Sequence, residues 1–166
     1  MQQLQAAFTD MIQQHEKLVY KVCHLYAADA EDARDLFQEI VLQAWSGYAR
    51  YRGDAAISTW LYRVALNTAI THKRKKGKHN ALPLPDIGLL QMADEPNHAD
   101  VEAYKLMHQM IAALPPLDKA LVLLYLEERP HTEIGDILGI STSNVGTKLN
   151  RIKDRMRKQA QPFAQQ

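Results

Sequence analysis

Between residues 130 and 158 the chain is punctuated in a way that suits two short helices meeting at a tight turn and little else. Pro130 halts whatever precedes it, Thr132 is suited to cap the next turn, and Ile134, Ile137 and Leu138 give that short helix one apolar side. Gly139 then supplies the left-handed residue that closes it. Ser141 is placed to cap a second, longer helix, in which Val145, Leu149, Ile152 and Met156 fall four, three and four residues apart and so share one face. The opposite face is polar and basic. At about 100° per residue, Asn144, Lys148, Arg151, Arg155 and Lys158 form one stripe, with Ser143, Thr147 and Asn150 beside it. A helix, a turn and an amphipathic helix of this composition describe a DNA-reading helix-turn-helix. Asn and Arg can pair with base edges, Ser and Thr bond phosphates or bases, and a helix amino end attracts a phosphate. A merely solvated helix mixes Glu with Lys, whereas residues 148–158 hold six bases and one acid, Asp154.

With 166 residues and 46% apolar content, the chain can fill one packed core or two small ones. No apolar run approaches the ~20 residues of a membrane span, so no membrane insertion is expected. The amino end, with Asp10 and Glu16, has neither the basic start nor the apolar segment of a secretion signal, and a cytoplasmic setting is expected. The single cysteine, Cys23, excludes an internal disulfide and lies on a helical apolar face, the setting of a buried structural thiol rather than a reactive one. A net charge of +1 hides a segregation into blocks. Residues 29–39 carry five acids and one base, residues 50–78 eight bases and one acid, and residues 86–102 five acids and no base. Two basic surfaces divided by an acidic stretch suit two nucleic-acid contacts and at least one basic partner.

Helical periodicity recurs along the chain, with no convincing strand pattern and no internal repeat. Phe8, Ile12, Val19, Val22 and Tyr26 mark a helix over about residues 4–27, and Leu36, Ile40, Ala44 and Tyr48 a second over about 30–49. After a loop containing Gly53, Ser58 is expected to cap a third helix running through Trp60, Leu61, Val64, Ala65 and Leu66 to Arg74. These three can enclose one small core. The basic run 73–78 closes it and opens a linker with Pro83, Pro85, Gly88 and Pro96, expected to be extended and flexible. Val101, Tyr104, Met107, Met110, Ile111 and Leu114 then mark a helix ended by Pro115. Pro116 is placed to start another through Leu117, Leu121, Leu124 and Tyr125, before the helix-turn-helix. The expected fold is all-α, with a three-helix domain at 1–76, a flexible linker at 77–98 and a four-helix domain at 99–160.

On these residues the chain resembles a known family. The segment from Asp32 to Glu39 (DARDLFQE), then Ala44-Trp45, then Ser58 to Asn67 (STWLYRVALN) with Arg74 following, resembles region two of bacterial extracytoplasmic-function sigma factors. Leu114-Pro115 and the segment from Glu133 to Ser141 (EIGDILGIS), with Asn144-Val145 and Arg151, resemble their region four. The region-two segment is the more specific of the two, because region four is similar to many response-regulator output domains.

The resemblance implies a protein that joins core RNA polymerase and directs it to promoters, with promoter DNA and an anti-sigma factor as further partners. In that family the helix here carrying Asp32, Asp35, Gln38 and Glu39 docks on the clamp helices of the largest catalytic polymerase subunit. From charge alone the same acids are an ordinary solvated face. The loop and helix that follow correspond to the part that opens the minus-ten element and holds a base outside the stack. That task needs amides, an aromatic wall and cations, for which Asn67, Tyr51, Arg50, Arg52, Lys73 and Arg74 are the candidates. Trp60 shares a face with Val64 and is expected in the core rather than as a stacking platform. Asn67 also suits a helix amide bonded to backbone.

In region four the expected DNA contacts are Ser143, Asn144, Thr147, Lys148, Asn150, Arg151 and Arg155, with Asn150 and Arg151 reading bases and Lys148 and Arg155 binding phosphate. Three residues depart from the family pattern. Arg34 stands where an acid is frequent, Thr71 where Asp is frequent, and Gly146 where a basic residue often contacts DNA.

No catalytic constellation competes with this reading. The seven histidines are scattered without metal-ligand spacing, and there is neither a glycine-rich phosphate loop nor a serine elbow, so no catalytic residue, metal or cofactor is expected. Two other readings stay open on the residues alone. One is a promoter-binding regulator that uses only the helix-turn-helix; the other is a helical adaptor whose basic faces bind acidic protein.

Overall fold

Asp29 begins the central helix of the amino-terminal half: its side chain accepts the Asp32 amide at 2.8 Å and caps the helix that follows. The computed structural model describes residues 1–77 and 98–164, and every regular element among them is an α-helix. Four helices form one unit: α1 (Gln2–Gln14), α2 (Glu16–Tyr26), α3 (Ala30–Tyr48) and α4 (Ile57–Lys76). Four form a second: α5 (His98–Ala112), α6 (Pro116–Leu126), α7 (His131–Leu138) and α8 (Thr142–Ala164). The all-α expectation in two helical parts is therefore met, and the linker expected at residues 77–98 lies almost wholly outside the described residues.

In the first unit α2, α3 and α4 pack on one another around Val19, Val22, Tyr26, Leu36, Ile40, Ala44, Leu61, Tyr62, Ala65 and Leu66, all essentially inaccessible. Each of the larger aliphatic side chains contributes ~1.5–3 kcal/mol by leaving water. Cys23 sits among them, 1% exposed, and burial, with the nearby Asp32 carboxylate adding to it, pushes its thiol up to about 12. It is a structural thiol, as expected.

The helix expected over residues 4–27 is two helices, so the first unit has four rather than three. The ladder is interrupted at His15, where φ is −112° and ψ 17°. The apolar positions stay in phase across the break, which is why the pattern reads as one helix. Residues 13–17 are all polar, so little packing opposes the interruption. The added helix α1 docks through Phe8, whose ring meets Trp45 edge-on at 5.0 Å and Tyr48 at 5.2 Å.

Two expected caps are also displaced. Ser58 lies inside α4, whose first turn is set by the Ala56 carbonyl accepting the Trp60 amide at 3.1 Å. Thr132 lies inside α7, which starts directly after Pro130. A hydroxyl one residue inside the first turn cannot cap it, and a residue held at extended ψ before the turn starts a helix without one.

The turn of the second unit forms as its residues require. Gly139 adopts φ 71° and ψ 34°, and its amide and that of Ile140 both bond the Gly135 carbonyl, at 2.8 and 3.1 Å. Ser141 Oγ accepts the Asn144 amide at 3.1 Å and caps α8. Gly135 permits the close crossing: a Cβ there would stand 2.7 Å from the Ile140 carbonyl oxygen. Leu121, Leu124, Ile134, Ile137, Val145 and Leu149 fill the core, with α6, α7 and α8 in mutual contact.

Candidate nucleic-acid interface

Burying Val145, Leu149 and Ile152 fixes the rotation of α8 and turns the opposite side outward. Ser143, Asn144, Thr147, Asn150, Arg151 and Arg155 are all exposed, and Lys148 is half-buried. The Thr147 hydroxyl donates to the Ser143 carbonyl at 3.1 Å, which leaves its oxygen as an acceptor. Two bases of the run are engaged locally: Lys153 Nζ lies 4.1 Å from the Tyr125 ring centre, and Arg157 pairs with Asp154 at 3.2 Å. What remains is a continuous strip of amides, hydroxyls and cations behind a capped helix amino end.

The first unit brings part of its expected set together. Asn67 and Arg74 fall on one exposed face of α4, with Thr71, a departure from the family pattern, between them. That face also includes exposed Arg63, which is absent from the expected set although its four-residue spacing to Asn67 was there to be read. Arg50 and Arg52 are exposed beside this helix's start, and Lys73 is half-buried. Tyr51 is half-buried: its hydroxyl donates to the Ala55 carbonyl at 2.5 Å and its ring lies 5.4 Å from Trp60. It therefore ties the loop together. Trp60 packs between Tyr51 and Tyr48, half-buried rather than in the core, and a Cβ on Gly47 would touch it at 3.2 Å.

The acidic helix divides. Asp35 and Gln38 are exposed on α3, and exposed Leu42 and Trp45 continue their face at three- and four-residue steps. Asp32, expected on that face, is turned inward and 7% exposed. One of its oxygens accepts the Ala28 amide at 2.8 Å, and the other accepts from His72 Nε2 at 2.8 Å and from Lys76 Nζ. Half-buried Glu39 lies 3.0 Å from His72 Nδ1, so both ring nitrogens face carboxylate oxygens. Both contacts are hydrogen bonds only when both nitrogens carry a proton. Burial alone pushes the Asp32 carboxyl up, but the hydrogen bonds from Lys76, the Ala28 amide and His72 outweigh it and hold the group at about 2.

These features define the class: a helical DNA-binding protein with a helix-turn-helix in one unit and a basic, amide-bearing helix in the other. The sigma-70 region 2 family profile matches residues 11–79 and the sigma-70 region 4 profile residues 104–156. The RNA polymerase sigma factor YlaC of Bacillus subtilis is 32% identical over 133 residues, 77% of this chain and 77% of that protein. The ECF RNA polymerase sigma factor SigW of the same organism is 28% identical over 167 residues, covering 93% of this chain and 89% of its own. In fold, the chain is similar to the sigma factor RpoE of Bartonella quintana, crystallised with the anti-sigma factor NepR, with a TM-score of 0.68 at 13% identity, covering 92% of this chain and 95% of that one.

The chain belongs to the sigma-70 family of RNA polymerase sigma factors, in the extracytoplasmic-function group. It is a transcription initiation factor and not an enzyme; it binds core RNA polymerase and promoter DNA. Among the described residues no helix is long and apolar enough to cross a membrane.

Proposed function

We propose that α8 enters the major groove of the minus-thirty-five element. Asn150 and Arg151 read base edges, Ser143, Asn144 and Thr147 line the contact, and Lys148 and Arg155 hold phosphates. The observation that carries this is the exposed strip of α8, with its amino end capped by Ser141. In the first unit, Asn67 and Arg74 on α4, with Lys73, Arg50 and Arg52, engage the minus-ten strand; Tyr51 acts by shaping the loop. The domain roles follow: residues 1–76 for polymerase and the minus-ten element, residues 99–160 for minus-thirty-five, and 77–98 as linker.

The polymerase-docking face is Asp35, Gln38 and the exposed edge of Glu39, extended by Leu42. Asp32 supports it from behind by tying α3 to α4. An anti-sigma factor is the proposed antagonist, a reading supported by the complex in which the Bartonella protein was crystallised. The proposed setting is the cytoplasm, where the polymerase works. In vitro transcription with purified core polymerase tests the whole: the chain should produce starts at defined promoters, and Asp35→Arg should weaken core association while the fold is kept. No promoter-dependent start would overturn it.

A further inference from the structure

Gly146 leaves a gap on the flank of α8, and a side chain from the preceding helix lies across it. A Cβ at Gly146 would stand 3.7 Å from His131 Nδ1 and 3.9 Å from its Cε1, both ordinary contacts, with nothing else within 4 Å. His131 is the first residue of α7 and is exposed. Gly146 shares its side of α8 with Ser143, three residues before it, and Asn150, four after, both exposed. The imidazole therefore stands beside the face assigned to DNA, where α8 itself supplies no side chain.

In a helix-turn-helix the first helix crosses the DNA backbone, and its amino end favours a phosphate. An imidazole carries an N–H donor in either tautomer. The nearby Glu133 carboxylate is tied to Arg129 at 2.8 Å, which offsets its repulsion of an approaching phosphate. We propose that His131 is a DNA contact: its ring N–H donates to a backbone phosphate bordering the groove that α8 enters, in the space a basic side chain at position 146 would otherwise fill. The inference rests on the placement of α8 in the minus-thirty-five groove.

The test uses holoenzyme reconstituted from core polymerase and the full chain, selecting duplexes from a library randomised across the minus-thirty-five element. No enrichment would overturn the placement of α8 and the role of His131 with it. On the enriched duplexes His131→Ala should weaken binding about five-fold whatever the base sequence, the loss of one net hydrogen bond. His131→Gln, which keeps a donor, should stay within about two-fold of the wild type. In a Gly146→Lys background, His131→Ala should change affinity by less than about two-fold, because the lysine occupies the same space and supplies the phosphate contact. Enrichment with unchanged affinity for His131→Ala, or an equal loss in both backgrounds, would overturn the inference and leave the placement of α8 standing.

Discussion

Replacing Asp32 by Asn keeps the side chain's shape and the acceptor for the Ala28 amide while removing the charge that His72 and Lys76 face. Its carboxyl is held at about 2 against an ordinary 3.8. At ~1.4 kcal/mol per unit, that difference amounts to about 2 kcal/mol of stability at neutral pH. Lys76 is half-exposed and can turn to water, so the cost belongs below the ~3–5 kcal/mol of breaking a fully buried pair. A depressed carboxyl stabilises the fold above its unfolded pKa and loses that contribution as pH falls through the folded one. Linkage therefore leaves about half of the difference between wild type and Asp32→Asn at pH 3, and it disappears below about pH 2. Urea unfolding followed by tryptophan fluorescence isolates the relevant unit, because both tryptophans, Trp45 and Trp60, belong to it. A difference under about 0.5 kcal/mol at pH 7, or one equally large at pH 3, would refute the reasoning.

Other substitutions test the second unit. Gly135→Ala forces its methyl against the Ile140 carbonyl, 2.7 Å away, and should cost about 2 kcal/mol; an unchanged melting temperature would show that the turn yields. Glu128 holds φ at 56° between α6 and α7, so Glu128→Gly should raise stability by about 0.5–1 kcal/mol, read as a higher urea midpoint. Arg151→Ala should reduce discrimination among minus-thirty-five sequences by about 1–3 kcal/mol, whereas Lys148→Ala should weaken all sequences alike and lower the salt slope by about one charge. Competition binding at several salt concentrations separates the two, and identical profiles would contradict the assigned roles.

The apolar spacing was legible because burial itself imposes the helical period: Val19, Val22 and Tyr26, or Val145, Leu149 and Ile152, mix steps of three and four and can face inward together only in a helix. Gly139 was legible because few other residues accept its backbone. Polar geometry was less so. The break at His15 leaves the apolar phase intact, and a hydroxyl one residue inside a helix start reads like a cap. Nothing in a linear pattern separates an acid facing water from one facing a histidine 40 residues on. The available signal was paired spacing: His72 and Lys76 lie four apart on α4, and Asp32 and Glu39 seven apart on α3, so each pair shares a helix face.

That pairing joins the two functions proposed for the first unit. Along α4, buried Leu61, Tyr62, Ala65, Leu66 and Ala69 form the core strip, and His72 and Lys76 continue it where α3 offers acids in place of apolar partners. Asp32 lies in the first turn of α3 and Lys76 in the last turn of α4, so each of these two charges also complements its own helix dipole. Lys73 and Arg74, proposed to engage the minus-ten strand, are bracketed by the two anchored residues, so the Asp32 cluster fixes the end of the helix that carries them. Asp32→Asn should then slow promoter opening by the holoenzyme at temperatures where the variant is fully folded, while Asn67→Ala should do so without lowering stability. Open-complex formation measured beside unfolding for both variants decides the point: normal opening by a folded Asp32→Asn would mean that the end of α4 keeps its direction without the cluster.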